Sequence, residues 1–156
     1  MLKFLGERLQ SVPTRAYATG ETVIAAGTTT GKLFFLCSGE LSVARGGVTI
    51  TRIREPGAVL GEMSLLLGGP HTADVLATAP TVCHVVERAG ELLLASPEMT
   101  AYVASVLAHR LDAVTRYLVD IKAQLTDAGG HLGMIDEVVE TVMTRHPRAL
   151  RAKSAY

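Results

Sequence analysis

The residues best suited to chemistry are crowded into one stretch, Gly57-Ala-Val-Leu-Gly61-Glu62-Met63-Ser64-Leu-Leu-Leu-Gly68-Gly69-Pro70-His71-Thr72-Ala73-Asp74-Val75. A strand ending at Gly61, a helical turn from Glu62 and a Gly-Gly-Pro return to another strand would present a row of backbone N–H groups, a natural anion site. Gly61 allows a ligand to approach the backbone closely. Glu62 accepts hydrogen bonds only when ionised, so it can take a sugar hydroxyl while neighbouring amides hold a phosphate. A carboxylate beside a phosphate cradle fits a ribose phosphate better than free phosphate. Glycine-rich β turns are common, however, and this stretch alone specifies no ligand.

The elements that must position these residues are legible in the patterning. Thr22–Ala25, Lys32–Ser38, Leu41–Arg45, Val48–Arg54, Thr72–Ala77 and Thr81–Glu87 read as short strands rich in β-branched residues and bounded by turns. Arg15–Ala18 and Val59–Leu60 are weaker runs that bring the total to about eight, the number of a double-sheet jelly roll. Arg45-Gly46-Gly47-Val48 is a tight hairpin signal, because paired glycines supply positive φ. Near Gly90 the character changes, and from Ser96 the period is helical. Ser96 caps, Pro97 occupies the first helical position, Glu98 suits the positive end of the dipole, and Gly129-Gly130 stops the helix after roughly 30 residues.

Along that helix Leu107, Leu111, Val114, Leu118, Ile121 and Leu125 alternate at gaps of four and three, a heptad seam whose length favours a homodimer over the alternative, a stripe packed on the chain's own β domain. A second helix, Leu132–Arg145, ends at Pro147 and is followed by the basic residues Arg148, Arg151 and Lys153. The expected fold is therefore mainly β with α: a jelly-roll β-roll, a long dimerisation-type helix and a short C-terminal helix. The expected division is 1–95, the roll with an N-terminal helix, and 96–156, the helices and basic tail.

With these elements in place, the sequence resembles the cyclic nucleotide-binding domain family. Gly61-Glu62-Met63-Ser64-Leu65-Leu66 and Pro70-His71-Thr72-Ala73 follow that family's phosphate-binding cassette, and Gly20-Glu21-Thr22-Val23-Ile24, Gly27, Phe34-Phe35-Leu36 and Ser38-Gly39-Glu40-Leu41 are similar to its glycine-marked strands. The resemblance runs from about Arg15 to Leu125 and implies a β-roll closed by helices, with a cyclic nucleotide under the cassette. Carried over by position, Glu62 would bind the ribose 2′-hydroxyl and Gly61 would admit the ligand. The N–H groups of Met63, Ser64 and Ala73, with the Thr72 hydroxyl, would hold the cyclic phosphate. Val114 and Thr115 would cover the base, with Thr115 able to hydrogen-bond it. The family's phosphate-pairing arginine is replaced by His71. That loses a permanent charge and a two-pronged donor, and a charge-assisted hydrogen bond of roughly 1.5–3 kcal/mol. Three readings stand open: His71 binds the phosphate in a pH-dependent way, another cation such as Arg54 reaches the site, or the pocket binds nothing.

Other function classes have weaker claims. Lys+Arg and Asp+Glu balance at 15 each, without the basic surplus of a dedicated nucleic-acid binder, and the stretch after Leu125 is too short for a winged DNA reader. Hydrophobic residues at 48% against 19% charged argue against disorder. No apolar run approaches the roughly 18 residues of a membrane helix, and MLKFLGERLQ lacks the form of a secretion signal. Cys37 and Cys83 sit in apolar runs, which predicts reduced thiols and a cytoplasmic protein, with a disulfide between them left open. Gly27-Thr-Thr-Thr-Gly31-Lys32-Leu33 has three residues between its glycines where a phosphate loop has four, so it reads as a strand-connecting turn. The histidines have no metal spacing, and nothing specifies a haem or a catalytic pair. The expectation is a non-catalytic sensor with no required cofactor, cyclic AMP or cyclic GMP as its ligand, and a separate protein partner for its helices. The alternative is a ligand-free dimerisation or docking module.

Overall fold

The computed structural model describes residues 2–127 and 137–141. Its order is α1 (Leu2–Leu9), β1 (Thr14–Tyr17), β2 (Thr22–Ile24), β3 (Leu33–Ser38), β4 (Leu41–Arg45), β5 (Val48–Ile53), β6 (Val59–Leu60), α2 (Glu62–Leu67), β7 (Asp74–Ala77), β8 (Thr81–Val86), α3 (Ala89–Ala95) and α4 (Pro97–Asp127). All eight expected strands are present within a residue or two of their sequence bounds. They form two four-stranded antiparallel sheets, β1-β8-β3-β6 and β2-β7-β4-β5.

The sheets face each other because their residues alternate. In β8, Thr81, Cys83 and Val85 are buried while Val82, His84 and Val86 are half-buried, the period of two that a pleated strand imposes. Tyr17, Ile24, Phe34, Leu36, Leu41, Leu60, Val75, Ala77, Cys83 and Val85 close into one core. Central strand β3 is buried on both faces. Phe34 and Leu36 join that core, while the Phe35 ring turns outward to lie 6.5 Å from the Tyr102 ring on α4. Edge strand β5 is exposed along most of its length, and the hairpin joining it to β4 turns at Gly46 and Gly47 with φ of 57° and 79°. Two successive positive φ values define the tight turn that matches strand twist.

Two details depart from the sequence pattern. Thr72 and Ala73 stand outside β7, which begins at Asp74, because the preceding backbone is bonded to the β2–β3 connection. A separate helix, α3, precedes the long one. Ser96, in extended conformation (φ −128°, ψ 95°), ends α3 as the residue before Pro97, a position that disfavours helical angles. It also caps α4, accepting the Met99 N–H on its Oγ at 3.3 Å.

The chain divides into two compact units between Val106 and Leu107, and α4 runs across that division. In the second unit Leu111 and Val114 are 47% and 53% exposed, and Leu107, Leu118 and Ile121 are half-buried. Of the helix expected over Leu132–Arg145, residues 137–141 are described and are helical. The rest of it, the Gly129-Gly130 stop and the basic tail lie outside the described residues. No helix among the described residues is long and apolar enough to cross a membrane.

Candidate functional site

The site is built where β6 delivers the chain into α2. Val59 and Leu60 are both buried, so the strand is anchored up to Gly61. Gly61 has φ 89° and ψ −7°, the left-handed region, and stands at the N-cap of α2. A Cβ there would lie 2.6 Å from the Lys32 carbonyl oxygen. On its Cβ side Gly61 abuts the chain's own backbone, so the roll itself requires glycine there.

Glu62, 3% exposed, occupies the first turn of α2, where the helix dipole favours a carboxylate. The Met63 and Ser64 amides precede the first helical hydrogen bond, Leu65 N–H to Gly61 O at 3.3 Å. These are the N–H groups that a helix start leaves for another acceptor. The Ser64 side chain has a local task. It is buried, its Oγ donates to Gly69 O, and Gly69 N–H returns to Ser64 O at 3.1 Å. These bonds lock the Gly68-Gly69 end of the cassette. Met63 is exposed, as are Leu66 and Leu67.

His71 is buried, with 5% of its surface exposed. Its backbone is held from both sides: its N–H donates to Thr28 O and its carbonyl accepts the Gly27 N–H, each at 2.8 Å. Its Nε2 lies 2.9 Å from Thr30 Oγ1. Further along the chain, Ala26 N–H donates to Asp74 Oδ1 at 2.8 Å. Burial holds the His71 imidazole below the ordinary histidine range. Thr72 is exposed and Ala73 half-buried at the mouth of β7.

Arg54, the alternative cation, is engaged elsewhere. Its Nε donates to Glu40, which also pairs with Arg52 at 3.3 Å and accepts the Thr78 hydroxyl at 2.8 Å. The Arg54 hydrogen bond, then that of Thr78, keeps the Glu40 carboxyl below the usual carboxylate range. Lys32 Nζ is paired with Glu87 at 2.7 Å.

Gly61, Glu62, Met63, Ser64, His71, Thr72 and Ala73 all lie in the first unit between β6 and β7, and a Cβ on Gly61 would lie 3.6 Å from His71 Cε1. Val114 and Thr115 lie on α4 in the second unit, Val114 exposed and Thr115 half-buried. The turn set aside as a false phosphate loop is the residue group that sequence reasoning missed. Gly27, Thr28, Thr30 and the Lys32 carbonyl form the wall against which the cassette is clamped. Glycines at both ends of that turn, with φ of 82° and 67°, were its available signal. Cys37 and Cys83 are both free thiols, and burial lifts Cys83 to about 11. Among the described residues no group of three or more His, Cys, Asp or Glu is placed to hold a metal ion.

A glycine-marked double sheet carrying this cassette between its sixth and seventh strands matches the cyclic nucleotide-binding domain over residues 14–93. The chain belongs to the cyclic nucleotide-binding domain family. The catabolite activator protein of Thermus thermophilus superposes on this cyclic nucleotide-binding domain with a TM-score of 0.64 and 26% identity, covering 78% of this chain and 60% of that one. A cyclic nucleotide-binding domain from Methylobacillus flagellatus KT superposes at 0.54 and 27% identity, covering 67% and 62%. Among curated proteins, Glutaminase 2 of Bradyrhizobium diazoefficiens is 45% identical over 71 residues, which is 45% of this chain and 11% of that protein. The chain therefore spans only part of these relatives. Domains of this family are typically regulatory and not catalytic, and the fold supports a regulatory or sensor module with a cyclic nucleotide as possible ligand.

Proposed function

We propose that this domain is a cytosolic sensor that binds a cyclic purine mononucleotide and reports occupancy to a protein partner through its C-terminal helices. The observation that carries this reading is the cassette's geometry: a buried Glu62 at the start of α2, beside amides that precede the helical ladder. Glu62 would accept the ribose 2′-hydroxyl. The Met63, Ser64 and Ala73 amides and the Thr72 hydroxyl would receive the cyclic phosphate, with His71 beside them. Val114 and Thr115 would cover the base. Two copies would pair along the seam of Leu107, Leu111, Val114, Leu118, Ile121 and Leu125, and Thr115 flanks that seam, so ligand and dimer geometry would be linked. Occupancy signals only if the two helix arrangements differ in nucleotide affinity.

One observation favours the second reading, a ligand-free dimerisation or docking module. His71, where the family places its arginine, is buried and already bonded to Thr30. Calorimetric titration with cyclic AMP and cyclic GMP separates the two. Saturable binding that Glu62→Gln weakens by about tenfold or more, the worth of a hydrogen bond to a charged group, supports the sensor. Absence of heat and of thermal shift at millimolar nucleotide supports the docking module.

A further inference from the structure

We propose that the Thr30–His71 pair makes anion binding at the cassette proton-linked. A bound monoanionic cyclic phosphodiester draws one proton from solvent onto His71, and Thr30 is the positioning residue that holds the ring in both protonation states. The inference rests on the cyclic nucleotide reading above and adds its regulation.

Three features of the pair carry it. First, Thr30 Oγ1 accepts the Lys32 N–H at 3.3 Å while it faces His71 Nε2 at 2.9 Å. A hydroxyl has one proton and two lone pairs. With one lone pair on Lys32, it can donate to a bare Nε2 or accept from a protonated one, so the contact survives titration. Second, hydrogen bonds to Gly27 and Thr28 fix the His71 backbone, so the base of the side chain stays in place against the turn when its charge changes. Third, among the described residues Nδ1 has no hydrogen-bond partner, and no fully buried side-chain polar atom there lacks one. Nδ1 therefore keeps contact with solvent, although the residue as a whole is 5% exposed. A neutral ring that accepts the Thr30 proton on Nε2 carries its own hydrogen on Nδ1, the donor left over for an anion.

The charged groups on the surrounding elements have other partners. Lys32 on the β2–β3 connection pairs with Glu87, Asp74 on β7 accepts the Ala26 N–H, and Glu62 on α2 is buried with an interaction of its own. None contributes to the downward shift of His71, which comes from burial alone. Burial therefore favours the neutral imidazole while the site is free. An arriving anion favours the imidazolium and raises its pKa, and between the free and bound values each nucleotide takes up a proton. Affinity accordingly rises as pH falls, by up to about tenfold per pH unit in that interval. An arginine would give a flat profile.

The test is calorimetric titration of the full chain with cyclic AMP and cyclic GMP between about pH 5.5 and 8.5, in two buffers of different ionisation enthalpy. The expected result is tighter binding on acidification and a buffer-dependent heat equivalent to about one proton per nucleotide. His71→Gln should bind weakly with no pH dependence, and Thr30→Val should move the profile to lower pH. If Thr30→Val fails to fold, NMR titration of the wild-type His71 Cε1 signal replaces it, with the midpoint expected to rise on adding nucleotide. Saturable wild-type binding that is flat in pH and indifferent to buffer overturns the proton linkage and leaves the sensor reading standing. Absence of binding at every pH, in both wild type and His71→Arg, overturns the sensor reading and this inference with it.

Discussion

Gly61→Ala is the perturbation that most sharply tests how the cassette is held. Gly61 sits at φ 89°, where an L-residue pays about 1–2 kcal/mol, and the new Cβ would lie 2.6 Å from the Lys32 carbonyl oxygen. Ordinary contact begins near 3.4 Å, so the two must separate by several tenths of an ångström, and the obstacle is backbone that cannot rotate aside. Lys32 leads into Leu33, which is fully buried, so relief falls on the contacts that bind the 26–32 turn to His71. Overpacking of this kind costs about 1–3 kcal/mol beyond the dihedral cost. Gly68→Ala supplies the control. Gly68 has φ 67°, also left-handed, with open space around its would-be Cβ, so it carries the backbone cost without the clash. Urea unfolding followed by far-UV circular dichroism should show Gly68→Ala losing about 1–2 kcal/mol and Gly61→Ala about 2–5 kcal/mol. Equal losses in the two variants would refute the claim that Lys32 is what makes glycine necessary at position 61.

Cys83 is fully buried and its thiol lies at about 11, whereas Cys37 is partly exposed. Iodoacetamide at pH 8 should label Cys37 in the folded protein and Cys83 only after urea, as read by mass spectrometry of the peptides; labelling of both at equal rates would contradict the placement of Cys83 in the core. Leu118→Lys puts a charge in the middle of the proposed helix seam and should shift the protein to monomer in size-exclusion chromatography with light scattering; elution like wild type counts against the seam. His71→Arg restores a permanent cation and should tighten nucleotide binding by about tenfold to a few hundredfold at pH 7.5, measured by calorimetry. Unchanged affinity would mean that the side chain at position 71 does not face the phosphate.

Much of the fold was legible because it depends on local rules. Short β-branched runs between glycines gave the strands, Gly46-Gly47 gave the hairpin, and Ser96-Pro97-Glu98 gave the start of α4. Helix α3 was not legible: Ala89–Ala95 is a single apolar helix of two turns, and its end is set by the same Ser96 that signals the next helix. The cassette's residue types were readable by spacing, yet their wall was not. Gly27–Gly31 resembles a generic turn until the fold brings Thr28 and Thr30 onto His71, more than forty positions along the chain. Arg54 illustrates the converse. A sequence offers every cation as a possible partner for a phosphate, and only the structure shows Arg54 committed to Glu40 across the β4–β5 hairpin.

The central claim is that a cyclic nucleotide lies against this cassette, and a crystal structure of the chain grown with cyclic AMP or cyclic GMP at about pH 6 tests it most directly. The account predicts the cyclic phosphate against the Met63, Ser64 and Ala73 amides with His71 Nδ1 in hydrogen-bonding range, and the ribose 2′-hydroxyl on Glu62. Nucleotide bound elsewhere, or a cassette left without ligand at millimolar nucleotide, would contradict it.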